Sequence, residues 1–463
     1  MLAPLLGSLV LLTQASASVP DGRPSPDKRK FNSSVINALI DSYLPRFIDP
    51  DLGQIFSNSL PNTLDTTVEV ASANDTFILT GDIPAMWLRD STNEVLPYMA
   101  FAGQDEALQA MLHGVVMRQC RSVLIDPYAN AFNIGPNGQG HQDDKRTPPM
   151  TPPVFEGKYE LDSLAAVLKS SFAYWNSTQD ATLLVEPIWL SAMETILATI
   201  TLQQQSTEED GGHPAYAFER DGVVYPNPKA PAARTGMSKC GFRPSDDNTG
   251  LPFLVSANAM AAVELGHLAT MAGAGAGGSP RLAAIATQAA ALGAQLRASV
   301  EVLTKRTVGG YGQIYAYEVD GFGNFSVADD SNIPSLLSLP YLGYLDRSDP
   351  TYLATRAFLL SPGNPYYYTG TVASGIGSPH TPKGYIWPMS LSIQALTSTS
   401  DVEIATILTY LTRAAKDTGF MHESFNKDNA GQFTRPWFAW ANAVFGELII
   451  QLARERPHLI FKS

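Results

Sequence analysis

The sequence predicts an all-α fold, a ring of helical hairpins whose long loops gather at one end. Three observations lead there. Apolar residues recur at helical spacing in about a dozen segments, strand-like segments are few and short, and the intervening loops are long and rich in Gly, Pro, Asn and aromatic residues. With 463 residues, 44% of them hydrophobic, the chain can bury one large core or two smaller ones.

The N-terminus comes first. Met1 to Leu12 is an apolar run too short to span a bilayer comfortably, and Ala15-Ser16-Ala17 has the small-x-small pattern of a signal-peptidase site. Residues 1–17 therefore read as a secretory signal peptide, although the stretch has no Lys or Arg and also fits a plain disordered terminus. Four Asn-x-Ser/Thr sequons, at Asn32, Asn74, Asn176 and Asn324, agree with secretion. Residues 18–32 read as a polar linker, and the folded part as 33–463.

Helical periodicity then dominates. Val35, Leu39, Tyr43 and Phe47 share a face at steps of four over Ser33–Phe47. Further helices are expected over Glu94–Phe101, Asp105–Cys120, Leu161–Trp175, Glu186–Leu202 and Ser256–Met271. The series continues with Leu282–Leu303, Tyr352–Leu360, Ile386–Thr397, Val402–Ala415 and Trp437–Arg454. Leu282, Ile285, Ala289, Leu292 and Leu296 make the clearest stripe. Strands are expected only at Thr66–Val70, Thr76–Leu79 and Tyr311–Glu318, as small hairpins. The stretch Ala272–Gly278 reads as a short interhelical loop, whereas Asp126–Pro153 and Gly363–Trp387 are long enough to carry function.

Charge excludes some partners. The formal net charge is −13 at pH 7, only 16% of residues are charged, and no long basic run exists, so no nucleic-acid or anionic-membrane surface is expected. Cys120 and Cys240 are too few for a disulfide scaffold; they read either as one bridge or as two buried thiols. Walker, GxSxG and HExxH motifs are missing from the sequence.

Many carboxylates lie in loops beside aromatics and Arg. Such a mixture suits a sugar, whose apolar ring faces stack while planar polar groups read its hydroxyls. In Gly81–Ser91 (GDIPAMWLRDS), Ser91 and Glu94 fit a capping box for the next helix. Arg89 and Asp90, just upstream, read as site residues or as a buried ion pair. In Arg243-Pro244-Ser245-Asp246-Asp247 the adjacent aspartates would raise one another's pKa while Arg243 pulls one back, which suits a general acid. Met421-His422-Glu423 sets a carboxylate among apolar side chains. Asp329-Asp330-Ser331-Asn332 resembles a calcium-loop fragment but lacks the Gly and distal Glu of an EF-hand, so no metal is expected there.

Taken in order, GDIPAMWLRDS (81–91), DPYANAF (126–132), KYELDS (158–163), GFRPSDD (241–247), DGFGN (320–324), DDSNIPSLL (329–337), GIGSPHTP (375–382), HESF (422–425) and WFAWAN (437–442) resemble glycoside hydrolase family 125, the exo-α-1,6-mannosidases of bacteria and fungi. The resemblance covers nearly everything after residue 60. It implies a single (α/α)6-barrel domain and an inverting, metal-independent, cofactor-free hydrolase that removes terminal α-1,6-linked mannose from a glycan. It further implies Asp246 as general acid and Glu423 as general base, with Asp247 tuning the acid. Arg89, Asp90, Asn130, Arg243 and His380, with Trp387 and Trp440, would line the terminal-mannose subsite. One departure stands out: Lys239-Cys240 occupies the place of a Trp-Ser pair in the bacterial pattern, and Asn248–Pro252 also differs, which puts linkage preference in question. Other readings are a different exo-acting inverting glycosidase, or a catalytically silent glycan-binding relative; both carboxylates being present argues against the latter.

Overall fold

The computed structural model describes residues 18–462, so the expected signal peptide, 1–17, lies outside the described residues. The thirteen α-helices among them are α1 (Ser34–Tyr43), α2 (Pro50–Ser59), α3 (Asn62–Thr66), α4 (Leu88–Val95), α5 (Glu106–Ile125), α6 (Leu161–Thr178), α7 (Pro187–Leu202), α8 (Val255–Gly275), α9 (Pro280–Leu303), α10 (Pro350–Leu359), α11 (Pro388–Leu396), α12 (Asp401–Ala415) and α13 (Ala439–Glu455).

Burial sorts them into two sets. All of α4 is buried, as are Val255–Leu265 of α8 and Ala439–Gly446 of α13. Such helices are covered on every side. They pack as a run in the order α11, α13, α4, α6, α8. Others bury a single stripe, such as Ile404, Ile407, Leu408 and Leu411 on α12, or Leu282, Ile285, Ala289 and Leu292 on α9. α9 packs along α8, α5 against α6 and α7, and α12 against α11.

Among the described residues, seven small antiparallel sheets of two or three strands interrupt this helical body. Met86–Trp87, Ala131–Phe132 and Val154–Glu156 form one, immediately ahead of α4. Tyr385–Ile386 pairs with Phe425–Asn426 and through it with Asn429–Phe433, ahead of α11. Phe253–Leu254 runs straight into α8. Several inner helices thus start from a short strand, and the long loops are tied down at that end.

Several expectations change. Ser91 is not an N-cap: α4 begins at Leu88, whose amide donates to Asn130 O at 3.0 Å, and the Ser91 hydroxyl donates to Trp87 O inside the helix. Residues 18–32 are docked rather than linking: Val19 is buried, Gly22 N donates to Asn58 Oδ1, and Arg23 holds buried Asp65 at 2.8 Å. α8 continues through Ala272 to Gly275, so the expected loop is mostly helix. Cys120 and Cys240 are separate buried thiols. Among the described residues no helix is long and apolar enough to cross a membrane.

Candidate active site

Four inner helices present their N-terminal ends to one place. Arg89 and Asp90 occupy the first turn of α4, and Glu160 and Asp162 sit at the N-cap and first turn of α6. Trp387 is the N-cap of α11, and Trp440 lies in the first turn of α13. The sheet ahead of α4 sets Asn130 and Glu156 alongside Arg89.

Asp246 arrives on a tight turn between Phe242 and Asn248, which bridge antiparallel to one another. Its amide donates to Arg243 O at 2.9 Å, and its φ of +65° is left-handed, a region that Asp tolerates better than most residues. Glu423 arrives beside His422, whose ring nitrogens face Arg435 O and Ala414 O while the ring stacks on Phe433 with centroids 4.0 Å apart. Met421 is pinned on both sides, its amide to Asn442 and its carbonyl to Phe438 N.

Asp246 and Glu423 line one cavity of about 400 Å³. Arg89, Asp90, His380, Trp387 and Trp440 line it too, together with Thr80, Ile83, Trp87, Ser245, Asn332, Arg435 and Phe438. Trp87 Nε1 and Trp440 Nε1 are buried there without a hydrogen-bond partner among the described residues, while Arg89 Nε and Asp90 Oδ2 face each other as an ion pair at 3.3 Å. Unpartnered buried donors of this kind are rare in folded proteins, and here both edge the cavity, where a ligand hydroxyl could accept from them.

Arg89 is the electrostatic centre. Its guanidinium meets four carboxylates: Glu160, Asp162 at 3.3 Å, Asp90 at 3.3 Å and Asp246 at 3.1 Å. Burial pushes the Asp90 carboxyl up to about 6 against the pull of Arg89. Burial also works to raise Asp246, but Arg89, Lys158, a hydrogen bond with Glu160, and His380 together outweigh it and hold that carboxyl well below its ordinary range. Glu160 goes the other way: burial, only partly opposed by Arg89, raises its carboxyl well above the usual range. Asp247 reaches His380 Nδ1 at 3.4 Å, a contact that raises the imidazole's pKa. Glu423 is held by a second guanidinium, with Arg435 Nε at 3.2 Å.

Not every expected residue lines the cavity. Asn130 stands behind it, donating to Asp246 and Glu160 at 3.2 Å and to Glu156 at 3.1 Å. Asp247 acts through His380. Arg243 corrects an expectation, because its guanidinium is taken by buried Glu318 at 2.9 Å and stacks over Tyr317. The cations facing Asp246 are Arg89 and Lys158 instead. Arg435, Asn332 and Phe438 were missed; an arginine just ahead of a Trp-Phe-Ala-Trp run was the available signal for the first. Asp329 caps a turn by accepting the Leu336 and Leu337 amides at 2.9 Å, and Asp330 accepts from Asn332. Lys239 and Asn248–Pro252 line a neighbouring cavity of about 470 Å³, where Lys239 pairs with Asp210. Cys240 is buried under the start of α6, its sulfur accepting from Leu161 N.

A helical scaffold with two carboxyl groups from distant stretches of chain, an aromatic wall and unpaired polar atoms in one cavity defines a glycoside hydrolase. Residues 49–450 match the metal-independent alpha-mannosidase family GH125, and the chain belongs to that family. It is 40% identical to the meiotically up-regulated gene 157 protein of Schizosaccharomyces pombe, over 96% of this chain and 91% of that one. It is 38% identical, with a TM-score of 0.86, to a metal-independent alpha mannosidase of Streptococcus pneumoniae solved in a non-productive complex with α-1,6-mannobiose; the match covers 92% of this chain and 100% of that one. A bacterial glucoamylase bound to acarbose shares the fold alone, at 13% identity and a TM-score of 0.53, over 89% of this chain and 58% of its own.

Proposed function

We propose that the protein is a secreted, exo-acting, inverting α-mannosidase that removes terminal α-1,6-linked mannose from glycans, built on an (α/α)6 barrel. The carrying observation is that Asp246 and Glu423 line one cavity, each held by its own guanidinium and not hydrogen-bonded to the other. Inverting hydrolysis needs two such carboxyl groups about 6.5–9.5 Å apart, with a water between.

Arg89, Asp90 and His380 hold the terminal mannose, with Trp387, Phe438 and Trp440 as its aromatic surround. Asp246 protonates the bridging oxygen as the bond to the anomeric carbon breaks. Glu423 takes a proton from the water that attacks the opposite face, and β-mannose leaves. The α-1,6 preference draws support from the mannobiose held by the streptococcal relative. Lys239 and Asn248–Pro252 belong to the adjacent cavity, so their departure from the bacterial pattern bears on the leaving part of the glycan and spares the terminal sugar. The run of largely buried helices, α4 wholly so, beside single-stripe helices supports the barrel. Secretion draws support from the N-terminal apolar run and from Asn32, Asn74, Asn176 and Asn324 all being exposed.

One experiment tests these points together. The full chain is expressed in a secreting eukaryotic host, recovered from the medium and incubated with α-1,6-, α-1,2- and α-1,3-mannobiose under proton NMR. It is expected in the medium, lighter after N-glycan removal, and releasing β-mannose first from the α-1,6 dimer. Initial α-mannose would exclude single displacement, a stronger α-1,2 or α-1,3 signal would overturn the linkage, and retention in the cell would overturn secretion.

A further inference from the structure

Glu160 is fully buried and outside the cavity, yet it is bound into the acid's surroundings at every polar atom. Arg89 Nη1 donates to Glu160 while Nη2 of the same guanidinium donates to Asp246. Asn130 Nδ2 is 3.2 Å from both carboxyls, and the Ser163 hydroxyl donates to Glu160 at 2.9 Å. Glu160 and Asp246 thus stand side by side on one guanidinium and one amide, and two carboxyls sharing a site favour a proton on one of them. The acid role of Asp246 demands a proton, but its cationic neighbours favour the ionised form.

We propose that Glu160 is a positioning and proton-storing residue that shares one proton with Asp246 and passes it forward when substrate binds. The inference rests on the mannosidase reading above. The steps balance. The Glu160 carboxyl gives its proton to the Asp246 carboxylate, and Asp246 gives it to the bridging oxygen as the C–O bond breaks. The leaving sugar departs as a neutral alcohol. Arg89 and Lys158 then face two carboxylates. Glu423, having gained a proton from water, returns it to solvent, and the Glu160–Asp246 pair takes one up.

The charged and titratable groups around the pair come from several elements. Arg89 and Asp90 belong to α4, and Asp162 to α6. Lys158 and Glu156 come from the segment ahead of α6, while His380 and the Cys240 thiol come from loops. Arg89 and Lys158 favour two carboxylates; Asp90, Asp162 and burial favour keeping one proton. That balance lets a single proton reside on the pair and still move.

The test compares wild type with Glu160→Gln, which keeps the shape but cannot release a proton. On α-1,6-mannobiose at neutral pH, kcat is expected to fall about a hundredfold with KM nearly unchanged. On an aryl mannoside with a dinitrophenyl leaving group, which needs little acid assistance, the loss is expected to stay within about threefold. The alkaline limb of kcat is expected to move to lower pH, because Asp246 alone gives up its proton sooner. Equal losses on both substrates, or an unmoved limb, would overturn the proposal in favour of a purely structural role. Should Glu160→Gln not fold, Ser163→Ala removes one donor to ionised Glu160 and is expected to move the limb upward; no movement overturns the proposal. Infrared difference spectroscopy of wild type minus Glu160→Gln reads the stored proton without turnover, as a carboxylic-acid carbonyl band, and its absence overturns the proposal. A wild-type enzyme that shows the band but releases no mannose would instead overturn the mannosidase reading.

Discussion

Asp246 combines a left-handed backbone at φ +65°, a side chain only 23% exposed and a guanidinium at 3.1 Å. Residues in sparsely populated backbone regions persist where the surroundings over-determine them, and they cluster at active sites. Asn tolerates the same backbone region, so Asp246→Asn should fold and lose only the proton. Both it and Glu423→Gln are expected to lower kcat on mannobiose by about 10²–10⁴-fold, the usual size of acid–base assistance. An aryl mannoside that leaves without protonation should restore much of the Asp246→Asn loss and little of the Glu423→Gln loss. Equal recovery would mean the two roles are misassigned. The two carboxyl groups were legible because acidic side chains among Pro, Arg and aromatic residues are out of place on a solvated helix face. Their partners were harder to see. Arg243 neighbours Asp246 in sequence but points to Glu318, 75 residues on, and Arg435 meets Glu423 from across a hairpin. Adjacency in the chain names candidates; side-chain direction decides partners.

At the scale of elements, most helices were legible to within a few residues, including α8 and α13, whose first halves are buried on every side; α2 and the start of α4 were not. α2 escaped because it buries Gly53, Ser57, Asn58 and Ser59 beside Leu52, Ile55 and Phe56, which leaves no periodic apolar pattern. α4 was placed too late because Ser91 and Glu94 imitate a cap, whereas the strand pairing of Met86–Trp87 fixes where the chain enters the helix. α5 shows how an element can be tuned by one small residue. The turn joining Val68–Ala71 to Thr76–Ile78 presses on it, with Asp75 gripped by Arg118 at 2.6 Å and Arg121 at 3.0 Å. A Cβ at Gly114 would stand 1.9 Å from Ser72 O and 2.3 Å from Thr76 Oγ1. Gly→Ala inside a free helix is favourable by about 1 kcal/mol, but a clash with backbone costs about 1–3 kcal/mol, so the clash should win. Gly114→Ala is therefore expected to lower the urea midpoint. A raised midpoint would show that the hairpin yields freely.

For the whole molecule, the acidic excess and the buried carboxyls act together on stability. Burial lifts Asp329 to about 8, despite the Leu336 and Leu337 amides, and lifts Asp90 to about 6. In an unfolded chain these groups lose their protons near about 4. Between that value and the folded one, the native state binds more protons, so stability falls as pH rises through the window. The His380 contribution has the same sign, since contact with Asp247 raises its pKa and the gain is lost as pH climbs. Opposing groups act lower down. Burial would raise Glu403, but hydrogen bonds from Gln394, Ser398 and Arg356 win and lower it, so its stabilisation disappears as pH falls through the folded value. Burial keeps His422 neutral, which costs stability below about 6.5, where the unfolded imidazole takes up a proton. A net charge of −13 at pH 7 adds repulsion that grows toward alkaline pH. The melting temperature should therefore peak in mildly acidic solution and fall between about pH 5.5 and about pH 8.5. Asp329→Asn, which keeps a carbonyl acceptor for the turn but has nothing to ionise, should flatten that fall. A melting temperature that rises over this interval, or an Asp329→Asn curve parallel to wild type, would mean that the buried carboxyls do not set the alkaline limit.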